Sequence, residues 1–129
     1  MKRINYSSGA VWEDLVGYSR AVQVGPLLEV TGTVAVDDEG NLVGKDDPFE
    51  QTKFILEKLR RILEDAGFTM EDVIRTRMFV TDISKWEDYG KAHALFFKTI
   101  KPATSMIEVS GLIEPEMMIE IEATAYKIG

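Results

Sequence analysis

Acidic and basic side chains recur at every second position in two segments of the sequence. Glu120 and Glu122 lie near the C-terminus, and Arg75 and Arg77 have the same spacing farther upstream. Because successive side chains of a strand point to opposite faces, each pair shares one side of its strand. A carboxylate on a partly buried cleft wall can orient or activate a water molecule. Arg77 could bind an anionic ligand, but pairing with Glu120 or Glu122 is its simpler role.

The other residue types limit the chemistry. The chain has no cysteine and a single histidine, His93, which excludes disulfides, thiolate catalysis and the usual cysteine or multi-histidine metal clusters. We therefore expect no metal site of these kinds. His93 falls on the apolar stripe of a predicted helix, where a packed, hydrogen-bonded histidine is usual and ligand binding is the alternative.

The first half of the chain must supply a hairpin and a helix to position these side chains. Residues 19–24 and 27–36 are strand-like and are joined by a Gly-Pro turn, which predicts a hairpin. Residues 47–67 begin with an Asp-Pro capping pattern and carry apolar residues at helical spacing up to a terminating glycine. Residues 7–17 have no clear period, and we predict a loop there.

The second half repeats this alternation of strand and helix. Residues 73–82 are strand-like, and a capping box from Ser84 to Glu87 predicts a helix ending near Lys98. Two closing strands are predicted at 103–109 and 117–126. The order ββαβαββ predicts one α+β domain spanning the whole chain, with two helices on one face of a mainly antiparallel sheet.

The predicted sheet has two different faces. Alternation turns Ile119, Ile121, Ala123 and Ala125 towards the helices. The opposite face is predicted to carry charged, polar and large apolar side chains together: Glu29, Thr31, Thr33, Arg75, Arg77, Phe79, Thr104, Met106, Glu108, Glu120, Glu122, Thr124 and Tyr126. This mixture favours an oligomer interface with polar clefts. An exposed face stabilised by cross-strand ion pairs is the alternative.

Composition narrows the choice of partners and compartment. The formal net charge of −7 disfavours nucleic acid, which is bound through clustered Lys and Arg. The apolar runs are far shorter than the roughly 20 residues that span a bilayer, and the N-terminus lacks the apolar core of a signal peptide. We expect a cytoplasmic protein with no membrane partner.

Short motifs across nearly the whole chain resemble one family in their order and spacing. They are Gly17-Tyr18-Ser19, Val30-Thr31-Gly32-Thr33, DEGNLVG at 38–44, Gln51, Ala66-Gly67, Phe79-Val80-Thr81-Asp82, Phe96-Phe97, Pro102-Ala103 and IEIEA at 119–123. This set is similar to the reactive intermediate deaminase family, RidA or YjgF. The resemblance implies a chorismate-mutase-like fold, a homotrimer with ligand clefts between subunits, and cofactor-free hydrolysis of enamine or imine metabolites such as 2-aminoacrylate.

The resemblance also indicates site residues. Glu120 is expected to be catalytic, and the ligand contacts are expected to come from Tyr18, Gly32, Thr33, Arg77, Thr104, Met106 and His93. Deaminase members carry a carboxylate-binding arginine where this chain has Thr104, and an asparagine that aligns with Gly90. Arg20 or Arg77 could replace the missing cation. Three functions stay open: a hydrolase of altered specificity, a non-catalytic trimer that binds a small metabolite, and an interaction protein.

Overall fold

The computed structural model describes residues 1–128 of the chain. Its elements, in order, are β1 (Arg3–Tyr6), α1 (Val11–Val16), β2 (Ala21–Val24), β3 (Leu27–Val34), α2 (Pro48–Asp65), β4 (Val73–Val80), α3 (Trp86–Phe97), β5 (Ala103–Glu108) and β6 (Ile119–Tyr126). Short 3₁₀ turns, Met70–Asp72 and Ile83–Lys85, precede β4 and α3. Within the described part of the chain, no helix is long and apolar enough to cross a membrane.

The six strands form one sheet in the order β1-β2-β3-β6-β4-β5. Only the pair β4 and β5 is parallel, and the other neighbours are antiparallel. Both long helices pack on one face, where their buried side chains join those of β3, β4 and β6 in the core. The predicted α+β class and the ββαβαββ core are confirmed, and β1 and α1 are added before them.

The N-terminal segment is the first correction. Residues 7–17 were predicted to be a loop, but they contain α1 and follow β1. Apolar periodicity does not predict this helix, because its apolar residues are exposed and an acidic residue is buried. Leu15 and Val16 are each 71% accessible, while Glu13 is buried. The Glu13 carboxylate accepts hydrogen bonds from the hydroxyls of Ser7 and Ser8, which fastens the helix to the chain before it.

Helix α2 follows its predicted signals closely. The Asp47 side chain accepts a hydrogen bond from the Glu50 backbone N–H at 3.1 Å, and Pro48 occupies the first turn. The apolar stripe is buried, with Leu56 and Leu63 fully inaccessible. Local capping and apolar periodicity agree here, so the sequence alone predicts the element.

Helix α3 begins differently from the prediction. The capping box at Ser84 and Glu87 is wrong: the Asp82 side chain accepts from the Ser84 backbone N–H, and a 3₁₀ turn precedes Trp86. Trp86 at its start is 57% exposed, whereas Tyr89 is fully buried. Asp82 therefore caps the 3₁₀ turn before α3, two residues upstream of the predicted cap at Ser84.

Two features of strand pairing correct the predicted composition of the open face, which is the sheet face opposite α2 and α3. A bulge at Thr31 and Gly32 pairs Thr33 with Ile121, so Thr33 lies on the helix side and is 1% exposed. The parallel register pairs β5 residues with inward residues of β4. This places Thr104, Met106 and Glu108 on the helix side as well.

Other side chains take those places on the open face. Ser105 and Ile107 lie beside Arg77 and Phe79, and Val34 lies beside Glu120. Ile107 remains 41% exposed in the single chain. The open face therefore keeps the predicted mixture of charged and apolar groups, with a changed membership.

Candidate functional site

The Glu120 carboxylate lies over the backbone of the β3 bulge. A Cβ atom built on Gly32 would stand 2.6 Å from Glu120 Oε2 and 2.7 Å from its Cδ, closer than real Cβ contacts come. Glu120 pairs with Val34 on one side and with Phe79 on the other, so apolar side chains flank it in the sheet. The carboxylate is thus held in a slot that only glycine leaves open.

Arg20 connects this slot to the segment before β2. Its Nη2 donates to the Gly32 carbonyl at 2.8 Å, and its guanidinium carbon lies 6.0 Å from the centre of the Tyr18 ring. The buried Arg20 Nε has no hydrogen-bond partner within residues 1–128. We call Tyr18, Arg20, Gly32 and Glu120 the bulge cluster.

The surroundings of Glu120 change the pKa of its carboxyl. Burial raises the pKa of this carboxyl above its ordinary value, the neighbouring Glu122 charge raises it further, and the positive charge of Arg20 works in the opposite direction. A carboxyl with a raised pKa exchanges its proton at a pH closer to neutrality than an exposed one. Glu120 is therefore suited to take a proton from water and return it.

The two predicted arginines of β4 have local partners. Arg77 Nη1 lies 3.7 Å from Glu122 Oε1, with both side chains about two-fifths exposed (41% and 42%). Arg75 donates to the Ser105 hydroxyl at 3.1 Å. Exposed pairs of this kind contribute little to stability, so Arg77 can exchange its partner at low cost.

A second group of polar residues lies on the helix side of the sheet. His93 Nε2 is 2.9 Å from the Thr76 hydroxyl, which is 2.8 Å from the Thr104 hydroxyl. Thr104 also donates to the Pro102 carbonyl at 3.1 Å. We call His93, Thr76 and Thr104 the threonine relay. It runs from the partly buried His93 through the fully buried Thr76 to an exposed position on the edge strand β5.

The structure thus brings the predicted site residues together in two places. Tyr18, Gly32 and Glu120 belong to the bulge cluster, while His93 and Thr104 belong to the relay on the opposite face. Within the described residues, neither Arg20 nor Arg77 hydrogen-bonds Thr104. Met106 packs against the core beside the relay.

The structure changes the interpretation of two threonines. Thr33 was predicted as a ligand contact on the open face, but it is buried on the helix side, where its hydroxyl donates to the Thr31 carbonyl. Thr76 was not singled out, although it is fully buried and central to the relay. Its signal was a polar residue at an inward position of β4, between the core residues Val73 and Met78.

A groove of about 560 Å³ adjoins the bulge cluster on its N-terminal side. Its lining includes Arg3, Asn5, Asp14, Tyr18 and Thr31. In the part of the chain that the structure describes, no group of three or more acidic or histidine side chains could hold a metal ion.

Comparisons with known proteins agree on one family. The sequence profile described as Endoribonuclease L-PSP matches residues 11–127. A RutC family protein of Pyrococcus abyssi is 36% identical over 110 residues, which cover 85% of this chain and 86% of that one. The chain belongs to the RidA/YjgF family.

Solved RidA/YjgF structures match the fold over almost its full length. A Mycobacterium tuberculosis protein described as a member of the YjgF/YER057c/UK114 family is 46% identical, with a TM-score of 0.87 and coverage of 97% of this chain and 99% of that one. A Thermotoga maritima protein described as a putative endoribonuclease is 35% identical, with a TM-score of 0.86 and full coverage of both chains.

The slot at Gly32 allows a direct test of the Glu120 position. We expect Gly32→Ala to change the free energy of unfolding little, because the new methyl meets the movable end of one side chain and the Gly32 φ is not positive. The displaced carboxylate should slow a reaction that depends on Glu120 about tenfold, because small misplacements of a catalytic group cost rate. Reaction rates and urea unfolding measure the two effects.

Gly111→Ala is the matched control, since a Cβ on Gly111 meets no atom within 4 Å. Its rate should equal that of the unaltered protein. A Gly32→Ala protein with full activity would show that Glu120 does not need this slot.

Proposed function

We propose that this protein is a hydrolase of reactive imine and enamine metabolites, with Glu120 as the group that activates water. The observation that carries the proposal is the environment of Glu120: a half-buried carboxyl over the Gly32 backbone, with a raised pKa and Arg20 nearby. The family assignment supports this chemistry, and so do Tyr18 and Gly32, which the resemblance assigns to the cleft and which lie beside Arg20 and Glu120.

The reaction needs one group that moves a proton twice. Glu120 accepts a proton from water as the oxygen attacks the imine carbon and passes that proton to the imine nitrogen, which gives the carbinolamine R₂C(OH)NH₂. Glu120 then takes the hydroxyl proton and delivers it to the nitrogen as the C–N bond breaks, so that R₂C=NH and H₂O yield R₂C=O and NH₃. An enamine first takes a proton on carbon and loses one from nitrogen to become the imine. A carboxyl whose pKa is raised by burial suits both directions of transfer.

A homotrimer would bring the two polar groups into one cleft. In one chain β4 separates β5 from β6, and Thr104 and Glu120 point to opposite faces. An inter-subunit cleft joins the relay of one copy to the bulge cluster of another. The exposed apolar side chains of the open face, among them Ile107 at 41% and Tyr126 at 47%, support burial against further copies.

Thr104 determines which substrates this cleft would accept. A threonine hydroxyl offers a hydrogen bond but no charge, so it does not neutralise a carboxylate as the family arginine does. Arg20 lies near Glu120 but already donates to the Gly32 carbonyl. The proposed substrate is therefore a small imine or enamine that lacks a carboxylate or presents it elsewhere in the cleft.

The test compares two substrates that are generated in the assay mixture. One is 2-aminoacrylate, which has a carboxylate, and the other is an imine without a carboxylate that an amine oxidase releases. Ammonia and carbonyl product are measured with the protein at catalytic concentration, and light scattering with size exclusion gives its mass. We expect a trimer that accelerates release of ammonia from at least one imine. A protein that binds the carbonyl product without accelerating either reaction would instead be a metabolite-binding trimer.

The pH profile of this activity should respond to the neighbours of Glu120. The carboxylate is the active base, so a raised pKa moves the acid limb of the rate to higher pH. Glu122→Gln removes one cause of that rise and should move the limb to lower pH. Arg20→Gln removes an opposing charge and should move it to higher pH. Rates measured from pH 4 to 9 test both signs, and shifts in the same direction for both variants would contradict the assignment.

A further inference from the structure

The threonine relay has a determined hydrogen-bond direction. A carbonyl oxygen only accepts, so the bond to the Pro102 carbonyl uses the single hydroxyl proton of Thr104. Thr76 must then donate to Thr104, and His93 Nε2–H must donate to Thr76. The relay leaves one free lone pair on the Thr104 oxygen, at an exposed position of the edge strand.

The inner end of the relay is fixed and uncharged. Burial lowers the pKa of His93 to about 4, so the ring is neutral near pH 7. The ring packs on Phe97 with 4.6 Å between centroids. Thr76 has no exposed surface. A buried hydroxyl between a ring nitrogen and a second hydroxyl has little freedom to reorient, so Thr104 is held in one orientation.

We propose that Thr104 forms a subsite for a hydrogen-bond donor, such as a neutral carboxamide or a protonated nitrogen, and that Thr76 and His93 are its positioning residues. This inference rests on the proposed function, because it names the substrate class of the same cleft. The relay makes Thr104 an acceptor, and an acceptor facing a carboxylate oxygen gains no hydrogen bond. The subsite therefore selects against the substrate group that an arginine at this position would hold.

The charges around the relay agree with a neutral subsite. Burial is the cause of the shift in the His93 pKa, with no contribution from a charged neighbour. Arg77 lies beside Glu122 and Arg75 beside Ser105, both on the opposite face of the sheet. Within the described residues of one subunit, Thr104 bonds only to Thr76 and Pro102.

Equilibrium binding of pyruvate and pyruvamide tests the subsite without any turnover. The two probes have nearly the same shape and differ in a carboxylate against a carboxamide with two N–H donors. We expect pyruvamide to bind the full-length protein at least tenfold more tightly, measured by calorimetry or by NMR titration at pH 7. About tenfold is the effect of one neutral hydrogen bond. Equal affinity, tighter pyruvate binding, or no binding of either probe overturns the proposal.

Variants separate the roles of the three residues. Thr104→Val removes the acceptor and should weaken pyruvamide binding about tenfold, with pyruvate unchanged. Thr76→Val removes one of the two hydrogen bonds that hold the Thr104 hydroxyl and should also weaken pyruvamide binding, whereas Thr76→Ser should restore it. Thr52→Val is the control, because it also removes a fully buried hydroxyl, one bonded to the Pro48 carbonyl in α2.

Introducing a cation at position 104 should reverse the binding preference. Thr104→Arg supplies the forked cation that suits a carboxylate and should reverse the preference towards pyruvate. If Thr76→Val does not fold, the variants of the exposed Thr104 still test whether this residue forms the subsite. Failure of the hydrolase proposal leaves the binding preference measurable. A protein that hydrolyses imines but prefers pyruvate would retain the proposed function and lose this inference.

Discussion

Glu120→Gln is expected to lower the rate of imine hydrolysis by about 100-fold or more, the usual contribution of a positioned general base. The substitution keeps the shape of the side chain in the Gly32 slot but removes its ability to take a proton. Folding should be retained, because burial disfavours the charged carboxylate that the variant lacks. Steady-state rates of ammonia release give the effect on kcat, and circular dichroism and oligomer mass verify the fold.

Glu29→Gln is the matched control for this experiment. Glu29 is an exposed carboxylate of the same open face and accepts a hydrogen bond from Thr124. Its rate should stay within about twofold of the unaltered protein, as is typical of an exposed residue outside the reacting groups. Equal losses in both variants would assign the effect to the charge of the face, and full activity of Glu120→Gln would remove Glu120 from the chemistry.

Gln51→Leu is expected to lower the free energy of unfolding by about 3 kcal/mol, since unpaired buried backbone groups cost roughly 1–3 kcal/mol each. The Gln51 side chain is fully buried. It donates to the carbonyls of Gly44 and Glu116 and accepts from the Met118 N–H, all at 2.9 to 3.1 Å. Leucine fills the space but satisfies none of these groups, which join α2 to the segment entering β6.

Thermal and urea unfolding at a fixed protein concentration measure this loss, because oligomerisation makes the midpoint depend on concentration. Gln23→Leu is the comparison: it removes two hydrogen bonds, one from the Tyr6 hydroxyl and one to the Gly25 carbonyl, at a partly exposed position where water can replace them. Its cost should be clearly smaller. Similar midpoints for the two variants would show that the three hydrogen bonds of Gln51 contribute little to stability.

Local signals predicted the elements whose pattern repeats along the chain. Capping by Asp47 and the apolar stripe of α2 are short-range features, so the helix follows from its own residues. Alternation in β6 was equally reliable: its apolar residues face the core and Glu120 and Glu122 face away. Helix α1 was missed because its apolar residues are exposed, which inverts the pattern that such an argument uses.

The family resemblance assigns Glu120, Gly32 and Tyr18 to one cleft, and the structure gathers them around Arg20. Their roles in binding and catalysis stay predictions. Strand alternation failed for Thr33, Thr104 and Met106. A bulge shifts the phase of one strand, and a parallel partner sets the facing of another.

The sequence by itself determined the fold class, the family and the absence of cysteine. These depend on residue identity and on spacing within one segment. The tertiary structure decided which residues meet: Glu120 with the Gly32 backbone, and Thr104 with Thr76 and His93. Such contacts join strands and helices distant in the chain, and their register depends on bulges and on packing of the whole sheet, which no local pattern encodes.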